Sequence, residues 1–218
     1  MKNILCFGDS NTWGYDPEGG RYPYEQRWVS LAARTLGPGF NLIPEGLNGR
    51  TTVWDDPFGD YRCGKDFLPV CLASHEPLDL VVIMLGTNDT KTFFRNTAHS
   101  IGRGMRKLVE ITRASAAGPG ERSPQILIIS PAPVTAGDQS RAGFDLREFS
   151  ELDGHRPHAV AAALPQEYAR IAEDYGCAFL DAAPHAEVSG VDGVHLTAAG
   201  HNGLASAVAD KILSILGG

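Results

Sequence analysis

The sequence contains no run of basic residues and no long apolar run. Its 218 residues include 19 Lys and Arg against 26 Asp and Glu, so the formal net charge is -7 at pH 7. We therefore expect no binding to nucleic acid or to an anionic membrane surface. No apolar stretch approaches the roughly 20 residues that a membrane-spanning helix needs. Near the N-terminus only four consecutive residues are apolar, so we also expect no secretory signal.

Cysteine is scarce and does not form the pattern of a disulfide framework. The four cysteines, Cys6, Cys63, Cys71 and Cys177, show no close pairing. Two of them, Cys6 and Cys177, fall in predicted buried strands, so we expect reduced thiols and a cytoplasmic protein. No Cys/His spacing is typical of zinc, and we expect neither a metal nor another cofactor.

The rest of the chain alternates between short apolar runs and helical patterns. The apolar runs predict five strands, at 4–7, 40–43, 78–85, 126–129 and 178–180. Strands that alternate with helices are typical of a parallel sheet covered on both faces. We therefore predict one α/β domain over residues 1–218. Five strands favour a three-layer α/β/α architecture with a flavodoxin-like strand order.

Two further features concern the second half of the chain. Residues 131–150 form a long stretch with little periodicity, and loops of this length often cover functional sites. A helix is predicted over about 159–175, with a kink or break at Pro165.

Small and polar residues end three of the predicted strands. These ends are Gly8-Asp9-Ser10, Asn48-Gly49 and Gly86-Thr87-Asn88. The carboxyl ends of parallel strands lie at one edge of a sheet, where ligands bind in open α/β folds. Each segment taken alone is also compatible with a helix cap or an ordinary turn. Together they predict a site at this edge.

These residues match the needs of acyl transfer by a serine, which requires a nucleophile, a base, an orienting group and oxyanion donors. Ser10 can be the nucleophile, His195 the base and Asp192 the group that orients it. The alternative is that Asp192 and His195 are solvated loop residues, since a lone Asp-x-x-His is a weak motif. Backbone N–H groups of Ser10 and Gly49 and the amide of Asn88 can supply the oxyanion donors.

In chain order, Gly8-Asp9-Ser10, Gly49, Gly86-Thr87-Asn88-Asp89 and Asp192-x-x-His195 resemble the four sequence blocks of the SGNH (GDSL-type) hydrolases. The resemblance covers nearly the whole chain. It implies a flavodoxin-like α/β/α fold and metal-free serine esterase or lipase activity. It also implies the roles just given for Ser10, Asp192 and His195, with Gly49 and Asn88 in the oxyanion hole. One residue departs from the pattern: Asn11 stands where the family motif has Leu, and we expect that position to take no part in the reaction.

A closer resemblance is to the bacterial arylesterase/acyltransferase branch of these hydrolases. It rests on five stretches: Trp13-Gly14, Gln26-Arg27-Trp28, Gly46-Leu47-x-Gly49-Arg50-Thr51-Thr52, Asp55-Asp56-Pro57 and Leu85-Gly86-Thr87-Asn88-Asp89-Thr90-Lys91. That branch implies short acyl esters, homo-oligomers, a site partly shielded from water and possible transfer of the acyl group to alcohols. Residues 137–158 do not match the branch well.

We expect the substrate to be a small ester with an acetyl-type acyl group on an aryl, alkyl or carbohydrate alcohol. Trp13, Tyr15, Phe93 and Phe94 follow the predicted site residues closely and are candidates for the pocket wall, although core packing is an equal alternative. Aromatic residues in loops also predict a homo-oligomer. These are Tyr22, Tyr24, Trp54, Phe58 and Tyr61.

Other functions compete with this interpretation. A lysophospholipase or thioesterase of the same family is one alternative. The segment Asp9-Ser10-Asn11-Thr12 also resembles the start of the haloacid-dehalogenase phosphatases, which would make Asp9 a nucleophile and require magnesium; the second Asp of that pattern is replaced here by Asn11. A non-catalytic binding module is a third alternative, but the sequence has no Gly-x-Gly-x-x-Gly or Walker spacing that would support a nucleotide.

Overall fold

The computed structural model describes residues 1–217, and a parallel sheet of five strands lies at its centre. The strands are β1 (Lys2–Gly8), β2 (Phe40–Gly46), β3 (Leu80–Met84), β4 (Gln125–Ser130) and β5 (Ala178–Asp181). Their order across the sheet is β2-β1-β3-β4-β5, and every neighbouring pair is parallel. The predicted three-layer, flavodoxin-like architecture is confirmed.

Within residues 1–217, six α-helices accompany the sheet. They are α1 (Ser10–Trp13), α2 (Trp28–Leu36), α3 (Gly64–His75), α4 (Ala98–Ala114), α5 (Pro157–Tyr175) and α6 (Ala198–Leu216). Short 3₁₀ turns occur at Tyr24–Gln26, Asn88–Thr90, Thr92–Phe94 and Leu146–Phe149. No helix within residues 1–217 is both long and apolar enough to cross a membrane.

Alternation along β1 builds a core on each face of the sheet. Ile4 and Cys6 point toward the core that contains α2 and α6, while Leu5 and Phe7 point toward the core that contains α3, α4 and α5. Successive side chains of a strand face opposite ways, so a strand covered on both sides reads as a continuous apolar run. The short apolar run that predicted β1 therefore reflects burial on both faces.

Two predictions that rested on proline residues are wrong. The sequence ends β2 before Pro44, but the strand continues to Gly46 with Pro44 opposite Cys6. It can do so because β2 is an edge strand, where a missing N–H need not break a ladder. The predicted break at Pro165 is absent, because α5 continues from Pro157 to Tyr175. Packing of Leu164 and its neighbours against the sheet outweighs the local cost of that proline.

The cysteines differ from expectation at one position. All four are free, and Cys6 is fully buried in β1 as predicted. Cys177, however, lies just before β5 and is half-buried. The prediction of a buried strand is wrong there, because β5 is an edge strand and all four of its residues are half-buried.

Candidate active site

The site is built where β1 ends and α1 begins. Asp9 caps α1, and its Oδ1 accepts a hydrogen bond from the N–H of Asn11 at 3.0 Å. Ser10 is the first residue of α1 and is buried. The turn needs Gly8, since a Cβ there would collide with the side chain of Thr12. This tight turn sets Ser10 directly at the carboxyl edge of the sheet.

A buried chain of hydrogen bonds joins Ser10, His195 and Asp192. Nε2 of His195 lies 2.9 Å from Oγ of Ser10, and Nδ1 lies 2.7 Å from Oδ2 of Asp192. An ionised carboxylate only accepts, so the ring proton belongs on Nδ1 and the hydroxyl of Ser10 donates to Nε2. The arrangement can pass a proton from the hydroxyl to the imidazole while the carboxylate holds the ring.

The local fold around Asp192 explains how this loop forms. Oδ1 of Asp192 accepts from the N–H groups of Val194 and His195, both at 2.9 Å. Gly193 makes the turn possible, with a φ of 70° and no room for a Cβ beside the carbonyl of Thr135. Burial acts to raise the pKa of Asp192, but the hydrogen bonds and charge of His195 prevail and lower it below its usual value. Asp192 is thus held in its ionised form next to the ring.

Backbone donors lie beside Ser10. In the part of the chain that the structure describes, the N–H groups of Ser10 and Gly49 make no hydrogen bond. The two residues line the same pocket as Asn88. One amide hydrogen of Asn88 is used by the carbonyl of Arg50 at 3.1 Å, which leaves the other available. These three residues can therefore supply donors to a developing oxyanion.

Asp89 ties the loops that carry Gly49 and Asn88 together. It is fully buried and accepts from the N–H and the hydroxyl of Thr52. Burial raises its pKa to about 6 despite these hydrogen bonds. Asp9, also buried, has its pKa raised to about 6 for the same reason. Neither carboxylate lines the pocket, whereas the hydroxyl-bearing Ser10 does.

The pocket has a volume of about 250 Å³ and two unlike walls. One wall is apolar and contains Tyr15, Phe144, Phe149 and Val194. A second group of lining residues, called here the polar wall, contains Asn48, Arg62, Lys91 and Glu148. It adjoins the apolar wall, since Nζ of Lys91 lies 6.0 Å from the ring centroid of Phe149.

Ion pairs largely neutralise the charges of the polar wall. Nζ of Lys91 lies 2.8 Å from Glu148 and 3.6 Å from Asp56, and the guanidinium of Arg62 lies 2.8 Å from Asp56. Paired charges of this kind can still donate and accept hydrogen bonds at the pocket surface.

Only one of the four predicted pocket aromatics lines the pocket. Tyr15 does, but Trp13, Phe93 and Phe94 are absent from its lining. The guanidinium of Arg21 covers the ring of Trp13 at 4.3 Å from the ring centroid. Phe93 packs on Phe94 and Phe58 instead.

The apolar wall is completed by a segment that the sequence could not position. Phe144 and Phe149 come from the long 131–150 loop. The length of this loop predicts that it covers a functional site. Nothing in its irregular sequence indicates that these two rings line the pocket.

One other cluster could hold a metal ion by composition. Ligand atoms of Asp55, Cys63 and Asp66 lie within 4.8 Å of one another. It is the single such group of three within residues 1–217, two of its members are exposed, and none lines the pocket.

Comparison with known proteins agrees with this geometry. The sequence pattern of the GDSL-like lipase/acylhydrolase family matches residues 6–202. A carbohydrate acetylesterase from Sinorhizobium meliloti is 39% identical, with 99% of this chain and all of that chain covered and a TM-score of 0.89. The native aryl esterase of M. smegmatis gives the same identity, coverage and TM-score.

More distant comparisons add less. A member of the lipolytic G-D-S-L family from Veillonella parvula is 17% identical, covers 100% of this chain and 99% of its own, and has a TM-score of 0.69, which shows the fold alone. No curated protein sequence matches the chain. The family pattern spans far more than half of the residues, so the chain belongs to the GDSL-like lipase/acylhydrolase (SGNH) family and is a carboxylic ester hydrolase.

Proposed function

We propose that Ser10, His195 and Asp192 carry out ester hydrolysis through an acyl-enzyme. The observation that carries the proposal is the unbroken hydrogen-bonded chain from Ser10 Oγ through the imidazole to Asp192. Ser10 Oγ attacks the ester carbonyl carbon while its proton passes to Nε2 of His195. The imidazolium then gives that proton to the alcohol oxygen as the ester C–O bond breaks. Water repeats the sequence on the acyl-enzyme, which releases the acid and restores Ser10.

The oxyanion formed in each half-reaction would be held by the N–H groups of Ser10 and Gly49 and by the amide of Asn88. Support comes from the two backbone N–H groups that have no other acceptor within residues 1–217 and from the unused amide hydrogen of Asn88. Donors already aimed at the place where negative charge develops need no reorganisation during the reaction.

The proposed substrates are acetyl-type and other short acyl esters of aryl, alkyl or carbohydrate alcohols. The pocket is small, and its aromatic wall can stack on an aryl ring or on the face of a sugar. Its polar wall can hydrogen-bond to hydroxyl groups. The two relatives at 39% identity are an aryl esterase and a carbohydrate acetylesterase, which supports the same range.

Transfer of the acyl group to an alcohol is part of the proposal. Aromatic rings of Tyr15 and Phe144 flank His195, which limits the access of water to the base. An alcohol that stacks in the pocket would then compete with water for the acyl-enzyme. The ratio of ester to acid formed from a vinyl ester in the presence of an added alcohol measures this competition.

The assembly and the compartment are proposed on separate grounds. We propose a homo-oligomer because the aromatic side chains of Tyr24, Phe58 and Tyr61 are more than half exposed. Four free cysteines favour the reducing cytoplasm.

Replacement of Ser10 tests the proposed function. Ser10→Ala should lower kcat for p-nitrophenyl acetate on the order of 10⁴-fold or more, because the members of such a triad act as a unit. Ser206→Ala, which changes an exposed serine on α6, is the control and should keep wild-type activity. EDTA should leave the wild type active. Retention of more than about a tenth of the wild-type kcat in Ser10→Ala would overturn the assignment, and loss of the wild-type activity in EDTA would contradict a metal-free mechanism.

A further inference from the structure

Asn11 makes two hydrogen bonds to the backbone on either side of His195. Its Nδ2 donates to the carbonyl of Val194 at 3.3 Å, and its Oδ1 accepts from the N–H of Leu196 at 3.0 Å. The amide cannot be turned the other way, since that would set an NH₂ group against an N–H and one carbonyl against another. The side chain of the residue that follows Ser10 therefore holds the chain segment that carries His195, 184 positions away in the sequence.

These contacts complete the hydrogen bonding of that segment. Asp192 takes the N–H groups of Val194 and His195, and the N–H of Ser189 donates to the carbonyl of His195 at 2.8 Å. The carbonyl of Val194 and the N–H of Leu196 are then left for Asn11. Val194, Leu196 and Asn11 are each at most 3% exposed, so bulk water does not reach these groups.

We propose that Asn11 is a positioning residue that sets the His195 imidazole at the correct distance from Ser10. This inference rests on the proposed function, because it assumes that Ser10 and His195 react. Two hydrogen bonds that bracket one residue fix its backbone and so the direction in which its side chain leaves the chain. Asn11 belongs to the same short helix as Ser10. One rigid element therefore carries the nucleophile and also holds the segment that carries the base.

The leucine of the family motif cannot do this. Its side chain has no donor or acceptor, so Asn11→Leu would leave a buried carbonyl and a buried N–H without partners. The loop would shift until they find others, and the imidazole would move with it. A displacement of about 1 Å at a reacting group can lower the rate 10²-fold.

The effect should fall on kcat and leave KM unchanged. Asn11 does not line the pocket, so substrate binding is not directly affected. His195 would serve both acylation and deacylation, and slowing both steps equally leaves KM where it was. We expect Asn11→Leu to lower kcat by about 10- to 100-fold with KM within about twofold of the wild type.

The experiment compares this variant with one that is destabilised in the core, away from the site. Val109 lies in α4, points into the core and is remote from the pocket, since α4 contributes no residue to the pocket lining. Val109→Ala removes two methyl groups from that core. Steady-state kinetics with p-nitrophenyl acetate are measured well below both melting temperatures, and an organophosphorus titrant counts the active sites. Asn11→Ala serves as the second variant and should show the same fall in kcat if Asn11→Leu does not fold.

The possible results separate the two proposals. A fall in kcat at unchanged KM in the Asn11 variants, with normal kcat in Val109→Ala, supports the positioning role. If kcat per titrated site in the Asn11 variants stays within about threefold of the wild type, or if only KM rises, the role is refuted. Retention of more than about a tenth of the wild-type kcat in Ser10→Ala would instead refute the proposed function. An inactive Ser10→Ala beside a fully active Asn11→Leu refutes the positioning role alone.

Discussion

The ring of Tyr15 lies flat against the imidazole of His195, with ring centroids 4.1 Å apart and an angle of 29° between the planes. Phe144 approaches the same imidazole edge-on at 5.6 Å. The proposed base is thus enclosed by one ring from the segment after α1 and another from the 131–150 loop. This enclosure limits the positions of the imidazole and narrows the approach to Ser10.

The first prediction concerns Asn88. Asn88→Ala should lower kcat by about 10²–10³, equivalent to roughly 2.7–4 kcal/mol, because it removes a donor to a charge that exists only along the reaction path. KM should change little for the same reason. Steady-state kinetics with p-nitrophenyl acetate provide the measurement.

Asn96→Ala is a suitable control for that experiment. Asn96 is also buried, and its amide donates to the carbonyl of Asp89 at 3.1 Å, but it does not line the pocket. Its loss should affect stability more than turnover. An Asn88→Ala enzyme with the kcat of the wild type would show that Asn88 is only a structural residue.

The residues that the sequence could place are those at strand ends. Ser10 follows β1 and Asn88 follows β3, and two neighbouring parallel strands must end at one edge of the sheet. Alternation of helices and strands was therefore enough to bring these residues together. The Asp192 to His195 unit could be placed only through its match to the family pattern.

The pocket wall could not be predicted because tertiary contacts determine the course of its loop. Two hydrogen bonds hold the 131–150 loop. The N–H of Thr135 donates to the carbonyl of Gly193 at 2.7 Å, and the hydroxyl of Thr92 donates to the carbonyl of Ser150 at 2.7 Å. Neither contact leaves a periodic signal in the sequence. The prediction that Trp13 lines the pocket is wrong for a local reason. Gly14, with a φ of 91°, turns the chain so that Tyr15 rather than Trp13 faces the pocket.

The second prediction is that kcat/KM depends steeply on acyl length, and that the aromatic rings of the 131–150 loop control this dependence. In the wild type, kcat/KM should fall about 10-fold or more between butyryl and octanoyl esters, since extra methylenes have little room in the pocket. Phe149→Ala should flatten this fall by enlarging the apolar wall. A series of p-nitrophenyl esters from acetyl to octanoyl measures both effects.

Trp13→Ala is the matched control for the acyl series. It removes an aromatic ring of larger size that lies outside the pocket lining, so the length dependence should remain that of the wild type. Should octanoyl esters be the better substrates of the wild type, the protein is better described as a lipase or lysophospholipase.

The third prediction is a mass in solution that is a multiple of the 23.3 kDa chain. Phe58, Tyr61 and Val70 are 74%, 77% and 58% exposed, and the last two help to line a single surface pocket. Burying such side chains between subunits is favourable. Light scattering at micromolar concentration should detect the oligomer, and Phe58→Ser with Tyr61→Ser should weaken it.

Leu213→Ser provides the control for the oligomer. Leu213 is an exposed apolar residue of α6, away from these aromatic residues in the sequence, and its replacement should leave the mass unchanged. A monomeric mass for the wild type under these conditions would refute the proposal.

The fourth prediction concerns the buried carboxyl group of Asp9. Burial raises its pKa from 3.8 to about 6, so the folded protein binds this proton more tightly than the unfolded chain does. The stability that follows from the bound proton is complete below about pH 4 and is lost as the pH rises through about 6. At pH 8 the wild type must therefore keep an ionised carboxylate in a buried site.

Asp9→Asn should remove that cost while it keeps the helix cap. Its side-chain oxygen can still accept from the N–H of Asn11, and its NH₂ replaces Oδ2, which has no hydrogen-bond partner within residues 1–217. The free energy of unfolding at pH 8 should rise on the order of 3 kcal/mol relative to the wild type, since each pKa unit corresponds to about 1.36 kcal/mol. The difference should shrink toward zero near pH 4.

Urea denaturation at pH 4.5, 6 and 8 measures this difference. Asp89 and His201, which also have shifted pKa values, titrate in both proteins. Because the charge of Asp9 contributes to the raised pKa of Asp89, the difference between the two proteins reports Asp9 together with its coupling to Asp89. Asp138→Asn is the control with the opposite sign: hydrogen bonds from Ser140 lower the pKa of this exposed carboxyl, so its removal cannot stabilise the protein at pH 8 in the same way. If Asp9→Asn is no more stable than the wild type at pH 8, the ionised carboxylate of Asp9 is stabilised by its surroundings, and the buried charge carries no cost.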